Sequence, residues 1–423
     1  MYRQLKSSHT KEMQMRRGRL FRGWYIVGAV HVLLALIFGA AYSFGAFFAS
    51  IQTQFGASSF STASIFSLTA LIYYGVGVFS GAWSDRTSVR TVTSAGIVLL
   101  ALGFVASSLL SSSPVLFLGA FCILVGLGVG LVYVPAVSTI ARWFVLWRSS
   151  ASGIALAGTG LGTLLGPVVA GALMEHLSWQ LTMQVYAAAI ALTGLAAAAV
   201  LRGRPEELGL HPDGVPPSGD PAAGQSAQGM DLAQAARQAR FWWYFAAIFL
   251  GSIGLFLALI HINPLARQQG LSVAQANGLI GLIGVGNVLG RLALGRLGDR
   301  MGALRFLLVL TVSLAVLCGL WAMARGFVAL AGFALVFGAA NGGCIALYPA
   351  VAATWFGTRN LGAILGALYV AVGIAAVAGG SLAGWLFDVW GGYTPSILLA
   401  GGSAALSALA VWRAECAGRD GRG

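Results

Sequence analysis

The stretch GAWSDRTSVR, Gly81 to Arg90, returns as GRLGDRMGALR, Gly295 to Arg305. The two lie 214 residues apart, and the same offset separates Pro135 in YVPAVSTIARWF from Pro349 in LYPAVAATWF. RSSASGIALAG, from Arg148, is echoed by RNLGAILGALY, from Arg359. Segments matched in order at a long spacing mark two structural repeats. Each copy of the first motif ends a long apolar run and carries an aspartate followed by arginines. These are Asp85, Arg86 and Arg90 in one copy, and Asp299, Arg300 and Arg305 in the other.

The runs around the motif set the fold class. The 423-residue chain is 58% hydrophobic and 9% charged, whereas a soluble domain carries about 25% charged residues. A helix needs about 20 apolar residues to cross a bilayer. Twelve runs qualify, near 24–49, 60–83, 90–111, 114–141, 149–174, 180–201, 241–266, 272–296, 304–324, 327–354, 359–387 and 393–412. They are continuous, unlike the alternating strands of a barrel. The expected fold is an all-α membrane protein with twelve transmembrane helices in two six-helix bundles. The first run is longer than a signal-peptide core and reads as a retained helix.

The expected organisation is a tail over 1–22, a bundle over 23–201, a linker over 202–240, a second bundle over 241–412 and a tail over 413–423. The linker stands out as RGRPEELGLHPDGVPPSGDPAAGQSAQGM, rich in proline, glycine and acids and so read as flexible. Repeated six-helix units point to a transporter with its site between the halves.

The net charge of +13 follows the topology. Of 25 lysines and arginines, only Arg267 and Arg325 fall on the side opposite the termini, and Arg291 falls inside a span. Basic residues gather on the cytoplasmic side, so both termini are expected there, in a bacterial inner membrane, and nucleic acid is not an expected partner. Cys122, Cys318 and Cys344 lie in spans and Cys416 in the tail, none with CxxC spacing. They read as small buried hydrophobes. No metal cluster or nucleophile–base pair suggests an enzyme, and no cofactor is expected. The stretch GTGLGTLLGPVVAG, Gly158 to Gly171, lacks the Lys-Ser/Thr of a phosphate loop. Gly162, Gly166 and Pro167 read as close helix packing.

The doubled G-x-x-x-D-R-x-x-x-R motif, in a chain of twelve spans, resembles the major facilitator superfamily. That resemblance implies two bundles rocking about a central site. GLGVGLVYVPAVSTIARWFVLWRSSASGIALAGTGLGTLLGPVVAG, Gly126 to Gly171, is similar to spans four and five of proton-linked monocarboxylate transporters. RGWYIVGAV from Arg22 and GNVLGRLALGRLGDR from Gly286 carry the same likeness, shared in style with oxalate:formate exchangers. In the family, an arginine in span eight is implied to bind the substrate carboxylate, and Arg291 matches it. Two departures concern proton coupling. Asn287 stands where animal members carry aspartate, and Tyr42 aligns with their span-one lysine. Exchangers also pair the arginine with a span-eleven lysine, absent here.

The residues support an anion site independently. A guanidinium stays charged, and a charge in a span is costly and usually faces a cavity. Snorkelling to headgroups is the competing reading. Asn287, four residues earlier, shares a helical face with Arg291 and offers an amide beside the planar fork. All twelve Asp and Glu lie in tails, loops or helix ends, so a substrate anion can supply the missing partner. One fixed cation suits a monocarboxylate, with a proton as co-substrate.

His261, before Asn263 and Pro264 where the helix is expected to be distorted, is either a substrate-contacting and proton-coupling residue, a gate near the far face, or an interior histidine. His31 reads as interior. The proton can also travel on the substrate as it leaves Arg291. Tyr133 and Tyr348, near-equivalent in the repeat, are expected to face each other across the axis, with Tyr42 and Tyr369 completing the wall. Asp85 and Asp299, with their arginines, are read as a conformational latch between helices; the competing reading is solvated surface pairs. The expected function is alternating-access transport of a lactate- or pyruvate-like monocarboxylate with a proton. An oxalate:formate-type anion exchanger and a drug/proton antiporter are the alternatives, and a single chain in the bilayer is expected to suffice.

Overall fold

A computed structural model describes residues 21–56, 59–215 and 229–420. Most of the basic N-terminal tail lies outside the described residues. The first half contains α1 (Arg22–Phe55), α2 (Ser59–Arg86), α3 (Val89–Leu109), α4 (Pro114–Trp143), α5 (Arg148–Met174) and α6 (Trp179–Val200). The second contains α7 (Ala239–Gln268), α8 (Val273–Met301), α9 (Ala303–Met323), α10 (Gly326–Phe356), α11 (Leu361–Trp390) and α12 (Thr394–Asp420). Among the described residues, 11 helices are long and apolar enough to cross a membrane. The 28-residue α2 completes the twelve.

Long helices follow from the solvent, because a bilayer leaves backbone groups no partner outside the helix. Ser178 caps α6 through the Leu181 amide, and Ser272 forms a reciprocal cap with Gln275 on α8. Gly56 and Gly391 end α1 and α11 in the left-handed conformation, which glycine adopts without a Cβ penalty. Leu33, Leu34 and Ile37 are buried, whereas Phe79, Leu192 and Val328 present apolar side chains outward, as a lipid-facing surface requires.

The differences from the sequence reading have local causes. α8 runs on to Met301, so Asp299 sits on the helix; the first stop is Gly302, with φ 89. α12 continues to Asp420 through residues expected to be tail. α7 continues as a helix through Pro264. α4 contains a π-helical segment, Ala120–Val125. The described ends of the linker are docked. Asp213 accepts hydrogen bonds from the Val145 and Leu146 amides at 2.9 and 2.8 Å. Met230 donates its amide to Phe356, and Gly229 bridges Gly357.

Small residues let the helices meet backbone to backbone. A Cβ at Gly158, Gly162 or Gly166 would overlap α1 at His31, Ala35 or Gly39, so the glycine-rich stretch is packing, as the sequence suggested. Between the halves, α2 lies along α11 and α5 along α8. Gly81 meets Gly362, Gly77 meets Gly366, and Gly295 meets Ser149 and Ser150. These approaches lie towards the face that carries the start of α1 and the end of α12, called here the terminal face. The two halves are closed there.

Candidate functional site

Arg291 lies ten residues before the end of α8, about 15 Å above the terminal face at 1.5 Å per residue. It is only 7% exposed. The guanidinium therefore does not snorkel; it points into the seam between the halves. Its Nη1 donates to the Leu156 carbonyl at 2.5 Å and to the Thr159 hydroxyl, both on α5. Thr159 in turn donates to the Leu156 carbonyl at 2.8 Å. The Arg291 Nε, also buried, has no hydrogen-bond partner among the described residues.

Phenols surround this cation. Tyr133, Tyr369, Tyr74 and Tyr42 all lie close enough to interact with it electrostatically. Tyr133 of α4 stacks on Tyr369 of α11, with centroids 5.4 Å apart. Tyr74 of α2 meets Tyr133 edge-on at 6.4 Å, and Phe38 of α1 meets Tyr133 edge-on at 5.3 Å. Tyr42 packs by Phe38 at 6.3 Å yet keeps 36% of its surface accessible. The Tyr369 hydroxyl is buried beside that of Tyr133, without regular hydrogen-bond geometry to a described group. One charged donor thus stands unpaired, and one neutral donor is poorly satisfied, in one ring-lined place. Leaving such groups unpaired is costly, and a carboxylate oxygen suits both.

Other expected members lie elsewhere. Asn287, one turn from Arg291, donates to Asn341 of α10 at 3.3 Å. Tyr348 does not face Tyr133. It packs edge-on against Tyr244 at 6.2 Å, with its hydroxyl turned towards Gly251 of α7. Tyr369 takes the expected place because α11, not α10, lies opposite α4 at this level. His261 is buried on α7 with its ring 5.3 Å from Tyr393, which precedes α12. That is the far end of α7, away from the guanidinium. His31 bonds the Ile154 carbonyl through Nδ1 at 2.7 Å.

Phe38, Tyr74, Thr159 and Asn341 were missed by the sequence reading. Paired phenols in LIYYGVG and a lone asparagine in GAANGGC were the available signals. Phe38 and Thr159 carried none.

Beneath the cluster, each motif aspartate reaches into the other half. Asp85 of α2 accepts from the Gly362 and Ala363 amides at the start of α11, at 3.2 and 3.0 Å. Asp299 of α8 accepts from the Ser149 and Ser150 amides at the start of α5, at 2.9 and 3.1 Å, and from the Ser150 hydroxyl at 2.5 Å. Carboxylates at helix N-termini meet free amides and the positive end of the dipole. Arg86, Arg90, Arg300 and Arg305 stand exposed instead. The cation that pairs with Asp85 is Arg142 of α4, whose Nε also donates to the Thr358 carbonyl at 3.1 Å. The hydrogen bonds to Asp299 all come from neutral donors, with the Arg148 guanidinium near enough to interact with its charge.

The family model described as Major Facilitator Superfamily matches residues 30–329 and 260–415. Monocarboxylate transporter 13 of Bos taurus is 28% identical over 381 residues, covering 90% of this chain and 86% of its own. Monocarboxylate transporter 12-B of Danio rerio is 27% identical over 416 residues, covering 92% and 86%. Among solved structures, the human organic anion transporter MFSD10 (TETRAN) superposes with a TM-score of 0.72 at 18% identity, covering 92% of this chain and 99% of its own. At that identity the likeness speaks for the fold alone. The two named relatives are animal proteins, and the expected bacterial membrane gains no support from them.

Proposed function

This chain belongs to the Major Facilitator Superfamily, as a multi-pass membrane transporter related to monocarboxylate transporters and not an enzyme, and on that premise we propose that it carries a small monocarboxylate, lactate- or pyruvate-like, together with a proton. One observation carries the reading. Arg291 Nε is buried with no hydrogen-bond partner among the described residues, the Tyr369 hydroxyl in the same cluster meets only the neutral Tyr133 phenol, and no acidic side chain is hydrogen-bonded to Arg291 among the described residues. A single carboxylate would satisfy both donors. Asn287 keeps the Arg291 face polar without adding a charge.

The proton travels on the substrate, which is neutralised as it leaves the guanidinium. This route needs no membrane carboxylate. The carrier works by alternating access, and the described conformation is the one closed on the terminal face. That face is cytoplasmic, because the basic residues gather on it.

The test is uptake of radiolabelled L-lactate and pyruvate into proteoliposomes under an imposed inward proton gradient. Uptake should rise with the gradient and vanish in Arg291→Ala. Full uptake in that variant would refute the site. Counterflow indifferent to pH would refute proton coupling in favour of exchange.

A further inference from the structure

We propose that Thr159 keeps the empty carrier closed on the terminal face by occupying the arginine that the substrate needs, so that substrate binding sets when the halves part. The inference rests on the assignment of Arg291 to the substrate.

Arg291 belongs to α8 and Thr159 to α5, in opposite halves. Arg291 Nη1, the Thr159 hydroxyl and the Leu156 carbonyl form a closed triangle of hydrogen bonds. The triangle exists only because the helices touch. A Cβ at Gly153 would overlap the Arg291 carbonyl, and one at Gly160 would strike Val288. The guanidinium cannot shed its charge, so it needs acceptors in every conformation. When α5 and α8 part on the terminal face, Nη1 loses both of its acceptors. On α8 the neutral Asn287 amide, already engaged with Asn341, is the group one turn away, and it cannot match a charged acceptor. A bound carboxylate can replace the lost acceptors, because its oxygens travel with Arg291 and make the stronger, charge-assisted bonds. The aspartate contacts below differ in kind, since they sit at helix ends where water can take their place.

Thr159 is thus a positioning residue, and its hydroxyl rather than its bulk is what counts. Nitroxide labels at Leu146→Cys and Leu297→Cys, both exposed on the terminal side of opposite halves, report the separation by pulsed electron resonance. The background carries Cys416→Ser, and no substrate is added. The parent and Thr159→Ser should show the short distance. Thr159→Val should raise the ratio of long to short distances about tenfold, as loss of a bond to a charged group implies. An unchanged distribution in Thr159→Val, or a Thr159→Ser that behaves like it, overturns the proposal. Thr159→Ala carries the same expectation if the valine variant does not reach the membrane. Failure here, with Arg291→Ala inactive in lactate uptake, removes the tether alone. Full uptake in Arg291→Ala removes the site reading itself.

Discussion

Tyr133 and Tyr369 stack across the two halves with ring centroids 5.4 Å apart, and the buried Tyr369 hydroxyl lies beside that of Tyr133 without regular hydrogen-bond geometry. Packing and donation can therefore be separated at one side chain. Tyr369→Phe keeps the stacked ring and removes the donor. It should raise the KM for lactate about tenfold or more, the usual worth of a hydrogen bond to a charged group, with a smaller effect on the maximal rate. Tyr369→Ala should also loosen the contact with Tyr133 and lower the rate. Initial uptake rates over a range of lactate concentrations distinguish the two. An unchanged KM in the phenylalanine variant would make Tyr369 a packing residue only.

Closure depends on bare backbone at Gly81 and Gly362. A Cβ on Gly81 would overlap the Gly362 carbonyl, and overpacking of this kind costs about 1–3 kcal/mol. Here the strain exists only while the terminal face is shut. Gly81→Ala should therefore favour the conformation open on that face and slow transport by about tenfold or more. Gly28→Ala, which meets nothing nearby, is the control. Accessibility to a membrane-impermeant thiol reagent of a cysteine placed at Ser149, which is buried against Gly298 of the other half while the face is shut, reads the shift in the Cys416→Ser background.

How much of this was legible beforehand follows from what kind of information each feature carries. The helices were, because a bilayer demands long apolar runs and the repeat at Asp85 and Asp299 fixes their order. Arg291 was, because a charge in an apolar span needs a reason. Its neighbours were only partly so. Tyr133 and Tyr369 stood out as phenols in spans, but which phenol faces which depends on helix rotation, and Tyr348 turns towards Gly251 instead. Thr159 was invisible, since threonines in spans commonly bond their own helix, as Thr139 does with Pro135. The Asp85 partner was sought among adjacent arginines, whereas Arg142 comes from α4, 57 residues away. Pairings across helices are set by tertiary packing and leave no local trace.

The two motif aspartates should tolerate substitution unequally. Asp85 and Arg142 form an ion pair with side chains only 2% and 5% exposed. Removing one member of a buried pair strands the other charge, at about 3–5 kcal/mol. Asp299 receives only neutral donors, and an asparagine oxygen can still accept from some of them, so its loss is about 1 kcal/mol. Asp85→Asn should therefore lower the melting temperature of the purified protein well beyond Asp299→Asn. Asp85→Asn combined with Arg142→Gln should recover part of the loss. Equal shifts for the two single variants would show that Arg142 contributes little.

The linker adds a pH-dependent contact through Asp213. Its carboxylate accepts from the Val145 and Leu146 amides, and its backbone sits at φ 56, a conformation that asparagine tolerates as well as aspartate does. Burial pushes the carboxyl above its ordinary range, although the amides of Leu146, Val145 and Trp147 and the nearby Arg148 pull the other way. The docked segment thus binds its proton more tightly than the free one. By linkage, docking is strongest below the free carboxyl's pKa and weakens as pH rises through the raised value. Asp213→Asn removes the titrating group and keeps an acceptor, so docking should become insensitive to pH. Asp213→Ala should orphan both amides, at about 1–2 kcal/mol, and release the segment. Hydrogen exchange at the Val145 and Leu146 amides between pH 4 and 7, corrected for the intrinsic rate, reads all three proteins. Protection that strengthens with rising pH in the parent would reverse the sign argued here and show that the amide bonds outweigh burial.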